Sequence, residues 1–402
     1  MKFNRHAPGR VGALGTFGAM TMAAVVALPI GGVLLAQTRA TAPARAPRPS
    51  TVPRTAWGTP DLQGIWNNSE LVPFARPDKF GLEEFKNDAQ MKEALDDLLE
   101  RNQRPGRDSR EIGGQDGRKT EKDVARAYNE HWFGDKPTAV GRRTSMIVDP
   151  PNGKMPAFTP QAEKREAEKR DYLQALLQGT SGGRPGPISP RRSEPSPDYN
   201  LDRINRSDGP EDRGGPERCL GTAQPVIMQA GSFGGVARFV QSQDSVSIYY
   251  DIGQGQGFAW VVPITNRPHL PQDVRLFHGD PIGRWEGDTL VVDITNFTQK
   301  TEFRGARENL HVIIRYKRLN ADTLEVRTTL EDPTTWVKPW TTVQELKKNP
   351  DQPNMVFEGG CHEGNYGLLG MLANTRAAER LFAEGKGPDP ALQDNATGGG
   401  AE

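Results

Sequence analysis

The second half of the chain alternates apolar and polar residues in short runs. Side chains of a strand point to opposite faces in turn, so this period of two predicts β-strands with one buried face. Turn-forming residues separate the runs at short, fairly even spacing, which is typical of an antiparallel sandwich or barrel. The predicted strands are residues 226–230, 236–241, 245–251, 258–264, 273–277, 289–295, 311–319, 323–330, 336–343 and 355–359.

The first half of the chain mixes strand and helix periods. Residues 61–67 alternate like a strand, whereas residues 82–103 place apolar side chains along one helical face. Residues 144–158 predict a hairpin, and Thr159-Pro160 predicts the start of a helix. The expected fold is mainly β with α additions. The expected architecture is an antiparallel curled sheet or barrel flanked by helices, with a calycin-like shape as one option. Residues 61–67 are expected to supply a closing strand.

Composition separates folded from extended segments. Hydrophobic residues make up 35% of the 402 positions, and 44 glycines with 33 prolines are many, so part of the chain is expected outside a packed core. The predicted organisation is a signal peptide at 1–36, a disordered spacer at 37–56, a strand, helix and hairpin region at 57–178 that packs on the β core, a Pro/Gly/Arg-rich connection at 179–216, an antiparallel β domain at 217–384 that ends in a helix from 374, and a disordered tail at 385–402.

Charge and motif content argue against two classes of partner. Lys and Arg total 51 and Asp and Glu total 51, whereas binding nucleic acid through the overall field needs an excess of positive charge. The glycine motifs that bind nucleotide phosphates do not occur in the sequence, so no cofactor is expected. The expected partner is a small organic ligand or substrate, and the oligomeric state is left open.

The first 36 residues have the pattern of an export signal. A basic start is followed by an apolar run over residues 19–36. Pro29 and a glycine pair suit the end of a cleaved signal better than a lasting membrane helix, although an uncleaved anchor of this length just spans a bilayer. The protein is therefore expected to be periplasmic or secreted, without a membrane span once the signal is removed.

Two cysteines, Cys219 and Cys361, remain in a protein placed in an oxidising compartment. A disulfide between them is the natural expectation there. Two separate buried thiols are the alternative.

Four motifs carry a resemblance to a known group of proteins. They are residues 60–66 (PDLQGIW), 143–151 (RTSMIVDPP), 283–293 (GRWEGDTLVVD) and 361–366 (CHEGNY). With them the chain resembles a large family of exported proteins of soil bacteria to which no activity is assigned. The resemblance covers most of the mature chain. It implies export and transfers no catalytic residue.

Residues 278–293 hold the densest group of candidate catalytic side chains. His278, Asp280 and Glu286 have the chemistry of a general acid/base group in which a carboxylate orients an imidazole. The alternative is turn chemistry, because Gly-Asp-Pro and Glu-Gly-Asp-Thr are typical of tight turns. The turn is favoured for Asp288, and both interpretations stay open for His278 and Glu286.

Three further candidates lie later in the chain. His311 opens a predicted strand, where it either lines a cavity or bonds a loop at the sheet edge. His362 and Glu363 follow Cys361, whose disulfide would hold them rigidly. Histidines and carboxylates also suit zinc, but no pair has a metal-ligand spacing such as His-x-x-x-His, so no metal site is predicted.

Aromatic residues are the candidate ligand-binding group. Flat rings on a sheet can stack on sugars or aryl ligands, although aromatic side chains more often belong to the core. The candidates are Trp260, Trp336, Trp340 and Tyr366.

Three functions follow from these patterns. The leading hypothesis is an exported protein that binds a small organic ligand in a β-barrel-like cavity. The first alternative is a cofactor-free hydrolase, lyase or isomerase, with His278 or His311 as base and Glu286 or Glu363 as acid. The second alternative is a cell-envelope interaction protein that meets its partner through residues 179–216.

Overall fold

The computed structural model describes residues 52–103, 137, 139–179, 186–199, 201, 206–215, 217–220, 225–228, 235–251, 257–349 and 366–390. The chain divides into two compact units, Met1–Arg48 and Pro49–Glu402, and every described residue belongs to the second. The α-helices found there are α1 (Asp88–Gln103), α2 (Pro160–Leu176) and α3 (Tyr366–Ala383). The strands are β1 (Gly64–Asn67), β2 (Glu70–Leu71), β3 (Ala139–Val140), β4 (Ile147–Asp149), β5 (Val236–Gln241), β6 (Ser245–Asp251), β7 (Phe258–Pro263), β8 (Asp280–Glu286), β9 (Thr289–Thr295), β10 (His311–Arg318), β11 (Thr323–Glu331) and β12 (Trp340–Lys348).

Most strands belong to one antiparallel sheet that is nearly closed into a barrel. Its main path runs β7-β6-β5-β1-β12-β11-β10-β9-β8, and β4 pairs with β12 beside this path. The two end strands meet at a parallel bridge between Ile264 and Gly283, where the N–H of Thr265 donates to the carbonyl of Gly283 at 3.0 Å. The predicted fold class, a mainly β fold with a curled antiparallel sheet and added helices, is therefore confirmed.

Apolar side chains fill the inside of the barrel. In β10, Val312, Ile314 and Tyr316 are buried, and the neighbouring strands repeat this alternation. Tyr316 packs edge-on against Phe239 of β5, with ring centroids 5.2 Å apart. Burying each large apolar side chain stabilises the fold by roughly 1.5–3 kcal/mol. Since successive side chains of a strand point to opposite faces, His311 and the alternate positions after it face outward.

Several predicted strands have the expected bounds and others differ. The predictions 236–241, 245–251 and 289–295 match β5, β6 and β9. The prediction 273–277 was wrong, since this stretch forms turns and a single isolated bridge. The predicted strand 336–343 begins only at residue 340, because the preceding N–H groups donate to the carbonyl of Asp332 in a turn.

The predicted hairpin at 144–158 was also wrong. Its first strand, β4, pairs with β12 at Thr341 and Thr342, and not with the segment that follows it in the chain. The short strand β1 covers only the far end of β12, at Lys347 and Lys348. Because β1 does not reach the first residues of β12, β4 can pair with Thr341 and Thr342 along the same edge.

Strand β8 was not predicted, because its first residues look like a turn. Asp280-Pro281 has turn composition, yet both residues lie in a strand whose register with β9 runs from Asp280↔Thr295 to Glu286↔Thr289. Proline is tolerated at the edge of a sheet, where its missing N–H breaks no ladder bond on the open side. Because β8 is the last strand of the path, Pro281 fits there.

The helices begin where capping groups are available. Thr159 accepts the N–H of Ala162 at 3.2 Å, which confirms the predicted start of α2. The predicted helix at 82–103 starts later, at Asp88, because Asn87 and Gln90 cap each other's backbone N–H groups at 2.8 and 2.9 Å. Helix α3 starts at Tyr366, before the predicted residue 374.

Some predictions fall on residues outside the described ranges. These include the signal peptide at 1–36, most of the spacer at 37–56, the strand at 355–359 and most of the tail at 385–402. Among the described helices, none combines the length and apolar character that crossing a membrane requires.

Candidate functional site

Charged and titratable side chains form a connected row on the outer face of β8, β9 and β10. Leu290, Val292 and Ile294 of β9 belong to the core, so Asp293 between them points outward. His311 of β10 points to the same side and contacts Asp293, and the loop after β7 brings His269 against Asp293 as well. The row is built from residues far apart in sequence that strand pairing brings together.

Asp280 at the start of β8 fixes one end of this row. Its carboxylate accepts two hydrogen bonds from Arg267, at 2.7 and 3.2 Å, and one from the N–H of Leu270 at 2.9 Å. The residue is only 3% exposed. Burial opposes ionisation, but the hydrogen bonds from Arg267, Leu270 and His269 outweigh it and hold the pKa of Asp280 below its usual value.

His269 lies between two carboxylates. Its Nδ1 is 3.2 Å from Asp280 Oδ2, and its Nε2 is 3.3 Å from Asp293 Oδ1. Both ring nitrogens are therefore engaged, and His269 joins β8 to β9 from the loop above them.

His311 shares the same oxygen of Asp293. Its Nε2 is 2.8 Å from Asp293 Oδ1, whereas its Nδ1 is 3.6 Å from Glu331 Oε2 on β11. The hydrogen bond to Asp293 raises the pKa of His311 although burial opposes this, and the same hydrogen bond lowers the pKa of Asp293. We call Asp280, His269, Asp293 and His311 the His–Asp chain.

The His–Asp chain leaves one ring nitrogen available for proton transfer. Nε2 of His311 is held by a carboxylate, which fixes the ring and stabilises its protonated form. Nδ1 faces Glu331 at a distance longer than a hydrogen bond, and the His311 side chain is 33% exposed. The described residues contain no group of three or more His, Cys, Asp and Glu side chains arranged to hold a metal ion.

His278 does not join Asp280. Its ring stacks on Phe258 with centroids 4.5 Å apart, and its backbone carbonyl accepts the indole N–H of Trp260 at 3.0 Å. Burial lowers the pKa of His278. Its Nδ1 is buried and has no hydrogen-bond partner within the described ranges. The residue between the two, Gly279, has a φ of +72°.

The remaining predicted catalytic residues are dispersed. Glu286 pairs with Arg284 at 2.8 Å near the other end of β8. Asp288 lies in the turn between β8 and β9 and pairs with Arg54 at 2.7 Å. Two further candidates and one cysteine lie outside the described residues: His362, Glu363 and Cys361.

The aromatic candidates separate into buried and exposed residues. Trp260, Trp336 and Trp340 are buried in the barrel core, whereas Tyr366 is 78% exposed at the start of α3. Trp336 and Trp340 cross at right angles with centroids 5.4 Å apart. The indole N–H groups of both are buried and meet no acceptor in the described part of the chain.

Cys219 is 8% exposed and has a positive φ of 54°. Since Cys361 lies outside the described residues, the pairing of these two cysteines stays a prediction.

Two members of the His–Asp chain, His269 and Asp293, were missed in the sequence. Asp293 sits at an outward position of an otherwise apolar strand, which is a weak signal of a site. His269 lies in a Pro-His-Leu-Pro loop without regular structure. Their meeting depends on the register of β9 with β10, in which Asp293 pairs with Ile313, and the sequence does not specify this register.

No protein-family model, curated protein or solved structure matches the chain. Fold and site together define a barrel-like β protein with an outward-facing His–Asp chain. The resemblance to exported proteins of soil bacteria stays a prediction.

Proposed function

We propose that the protein is an acid–base enzyme in which His311 exchanges a proton with a small-molecule substrate. The observation that carries this proposal is the 2.8 Å contact between His311 Nε2 and Asp293 Oδ1. Nδ1 of the same ring lies 3.6 Å from the half-exposed Glu331, beyond hydrogen-bond distance, on a side chain that is itself 33% exposed. A carboxylate behind an imidazole is the arrangement by which proteins orient a histidine for proton transfer.

The hydrogen bond from His311 to Asp293 raises the pKa of His311 and so favours the protonated ring, and for this reason we assign it the role of general acid. Asp293 orients the ring and offsets its charge. His269 and Asp280 are positioning residues, because His269 contacts the same oxygen of Asp293 as His311 does and Asp280 in turn holds the His269 ring. Donation of a proton to a leaving group fits a hydrolase or lyase, and donation with return fits an isomerase.

The enzyme is proposed to act outside the cytoplasm. The signal pattern of residues 1–36 and the resemblance to exported proteins support this location. The substrate would then be a molecule of the periplasm or the medium.

Untargeted mass spectrometry tests the activity. The purified protein is incubated with a pooled extract of small metabolites, and each compound that it consumes is tested again with His311→Gln and Asp293→Asn. Lys317→Gln is the matched control, because Lys317 is an exposed residue of the same strand outside the His–Asp chain. Turnover should fall at least tenfold in both site variants and stay unchanged in the control. Equal turnover by wild type and His311→Gln would overturn the proposal.

Binding of a small organic ligand beside Trp336 and Trp340 is a second candidate function. Its support is the pair of buried indole N–H groups of Trp336 and Trp340, since buried donors nearly always have acceptors and a ligand oxygen would supply one. Titration of aryl and sugar compounds, followed by intrinsic tryptophan fluorescence, tests this function. Saturable quenching that Trp336→Phe removes would support it, and quenching that is unchanged in that variant would contradict it.

A further inference from the structure

Two arginines face each other directly across β10 and β11. Arg315 pairs with Arg327 in the strand register. Both point to the outer face, because Tyr316 of β10 and Val326 of β11 belong to the core. Both residues are partly buried. Side chains in directly opposite positions of antiparallel strands lie within about 5.5 Å at Cβ, so the two side chains leave the sheet side by side.

This arginine pair meets no counter-charge among the residues that the structure describes. Within the described ranges, neither Arg315 nor Arg327 makes an ion pair or a side-chain hydrogen bond, unlike Arg284 of β8 and Arg267 of the loop after β7. Like charges placed directly opposite each other destabilise a sheet. Each guanidinium also presents five N–H donors that match the oxygens of a carboxylate or a phosphate. In the described part of the chain, the pair is therefore a set of donors without an acceptor.

The neighbours of the pair leave its charge uncompensated. Along the same row of the sheet, Arg315 is flanked by Val291 of β9 and Arg327 by Val343 of β12. On one side along the strands lie Ile313 and Thr329, which are paired with each other.

On the other side along the strands lie Lys317 and Glu325, also paired with each other. Glu325 is the carboxylate nearest in register, and it makes no ion pair with either arginine in the described part of the chain. Beyond Val291, Arg284 of β8 adds a third guanidinium to the row and lies 3.9 Å from Asp293.

We infer that Arg315 and Arg327 bind the oxyanion group, a carboxylate or a phosphate, of a small-molecule ligand. This inference rests on the proposed function, and the oxyanion group is then part of the substrate. His311 and Arg315 share one face of β10 and lie four residues apart, on the order of 13 Å along the strand. The substrate is therefore an elongated acid whose anionic group binds at one end of this face and whose reacting atom meets His311 at the other.

Calorimetric titration of the full-length protein with inorganic phosphate and with succinate tests the site, at pH 7 and at constant ionic strength set with sodium chloride. Saturable binding is expected for at least one of the two, and it identifies phosphate esters or carboxylic acids as the ligand class. Arg315→Gln and Arg327→Gln should each weaken binding at least tenfold. Lys317→Gln, which removes an exposed charge from the same strand, should change it less than twofold.

Two results would overturn the inference: no saturable binding by the wild type, or equal binding by the wild type and both arginine variants. Unfolding midpoints check that the arginine variants fold. We expect the midpoints to stay at or above that of the wild type, since each substitution removes a contact between like charges. The His311→Gln protein separates this inference from the proposed function. It should still bind the anion while losing turnover. If His311→Gln binds the anion and keeps its turnover, the catalytic role alone is refuted. If turnover depends on His311 but the wild type binds no anion, the anion site alone is refuted.

Discussion

Replacing Asp280 by Asn tests how strongly the His–Asp chain is attached to the barrel. The substitution keeps the volume of the side chain and removes its charge. Asp280 accepts from Arg267, Leu270 and His269 and is 3% exposed. Breaking a buried ion pair commonly costs about 3–5 kcal/mol. The Arg267 side chain is 38% exposed and can be solvated again, so we expect a smaller loss, about 2–3 kcal/mol.

Urea unfolding at pH 7 measures this loss, and Asp288→Asn is its matched control. Asp288 also accepts two hydrogen bonds from one arginine, at 2.7 and 2.8 Å from Arg54. That pair is open to solvent, with side chains 53% and 47% exposed, so its removal should cost less than about 1 kcal/mol. The two substitutions therefore remove the same type of pair from a buried and an exposed site.

A loss for Asp280→Asn no larger than that for Asp288→Asn would refute the reasoning. A double-mutant cycle with Arg267→Gln isolates the pair itself, and residues in direct contact should couple by about 1–2 kcal/mol. A coupling near zero would show that the loss comes from the loop backbone and not from the arginine.

Three further predictions concern other parts of the barrel. Gly279→Ala should lower the free energy of unfolding by about 2–4 kcal/mol, because φ is +72° and a Cβ would lie 2.6 Å from a β9 side chain. Gly287→Ala is the control: φ is +59° but the space is open, so the loss in the same urea assay should be about 1 kcal/mol. The pKa of His311 is raised in the folded protein, so its contribution to stability is present below the unfolded pKa of about 6.5 and is lost as pH rises through the folded pKa. The free energy of unfolding should therefore fall less with pH above about 6.5 in His311→Gln than in the wild type. Tyr250→Phe should cost about 1–3 kcal/mol, because the 2.6 Å bond to the buried Tyr316 hydroxyl is lost, and adding Tyr316→Phe should cost less than the sum of the single changes.

The barrel could be predicted largely from the sequence because the alternation is strong where one face is buried. Strands β5, β6 and β9 have the predicted bounds for this reason. The prediction failed where side-chain chemistry resembled a turn, as at Asp280-Pro281, and where the pairing partner was distant, as for β4 and β12. Local composition does not reveal which edge of a sheet is free.

The candidate site could be predicted only in part. Asp280 was singled out as a titratable residue of the stretch 278–293 and His311 as the first residue of a predicted strand, and both belong to the His–Asp chain. Their connection runs through His269 and Asp293, which have no local signal of function. Three-dimensional contact between a loop and two strands creates the site, so a motif along a single segment cannot contain it.

The two histidines singled out in the sequence occupy opposite electrostatic settings, and this decides between them. His278 is buried against Phe258 and has no charged partner among the described residues, so burial lowers its pKa and favours the neutral ring. Its protonation would leave a charge in an apolar setting, which makes it a poor proton donor. His311 has Asp293 on one nitrogen, whereas the other faces Glu331 at 3.6 Å on a partly open surface. This setting favours a protonated ring that can still reach a substrate, and for that reason we place the proposed acid catalysis on the outer face and not in the aromatic interior.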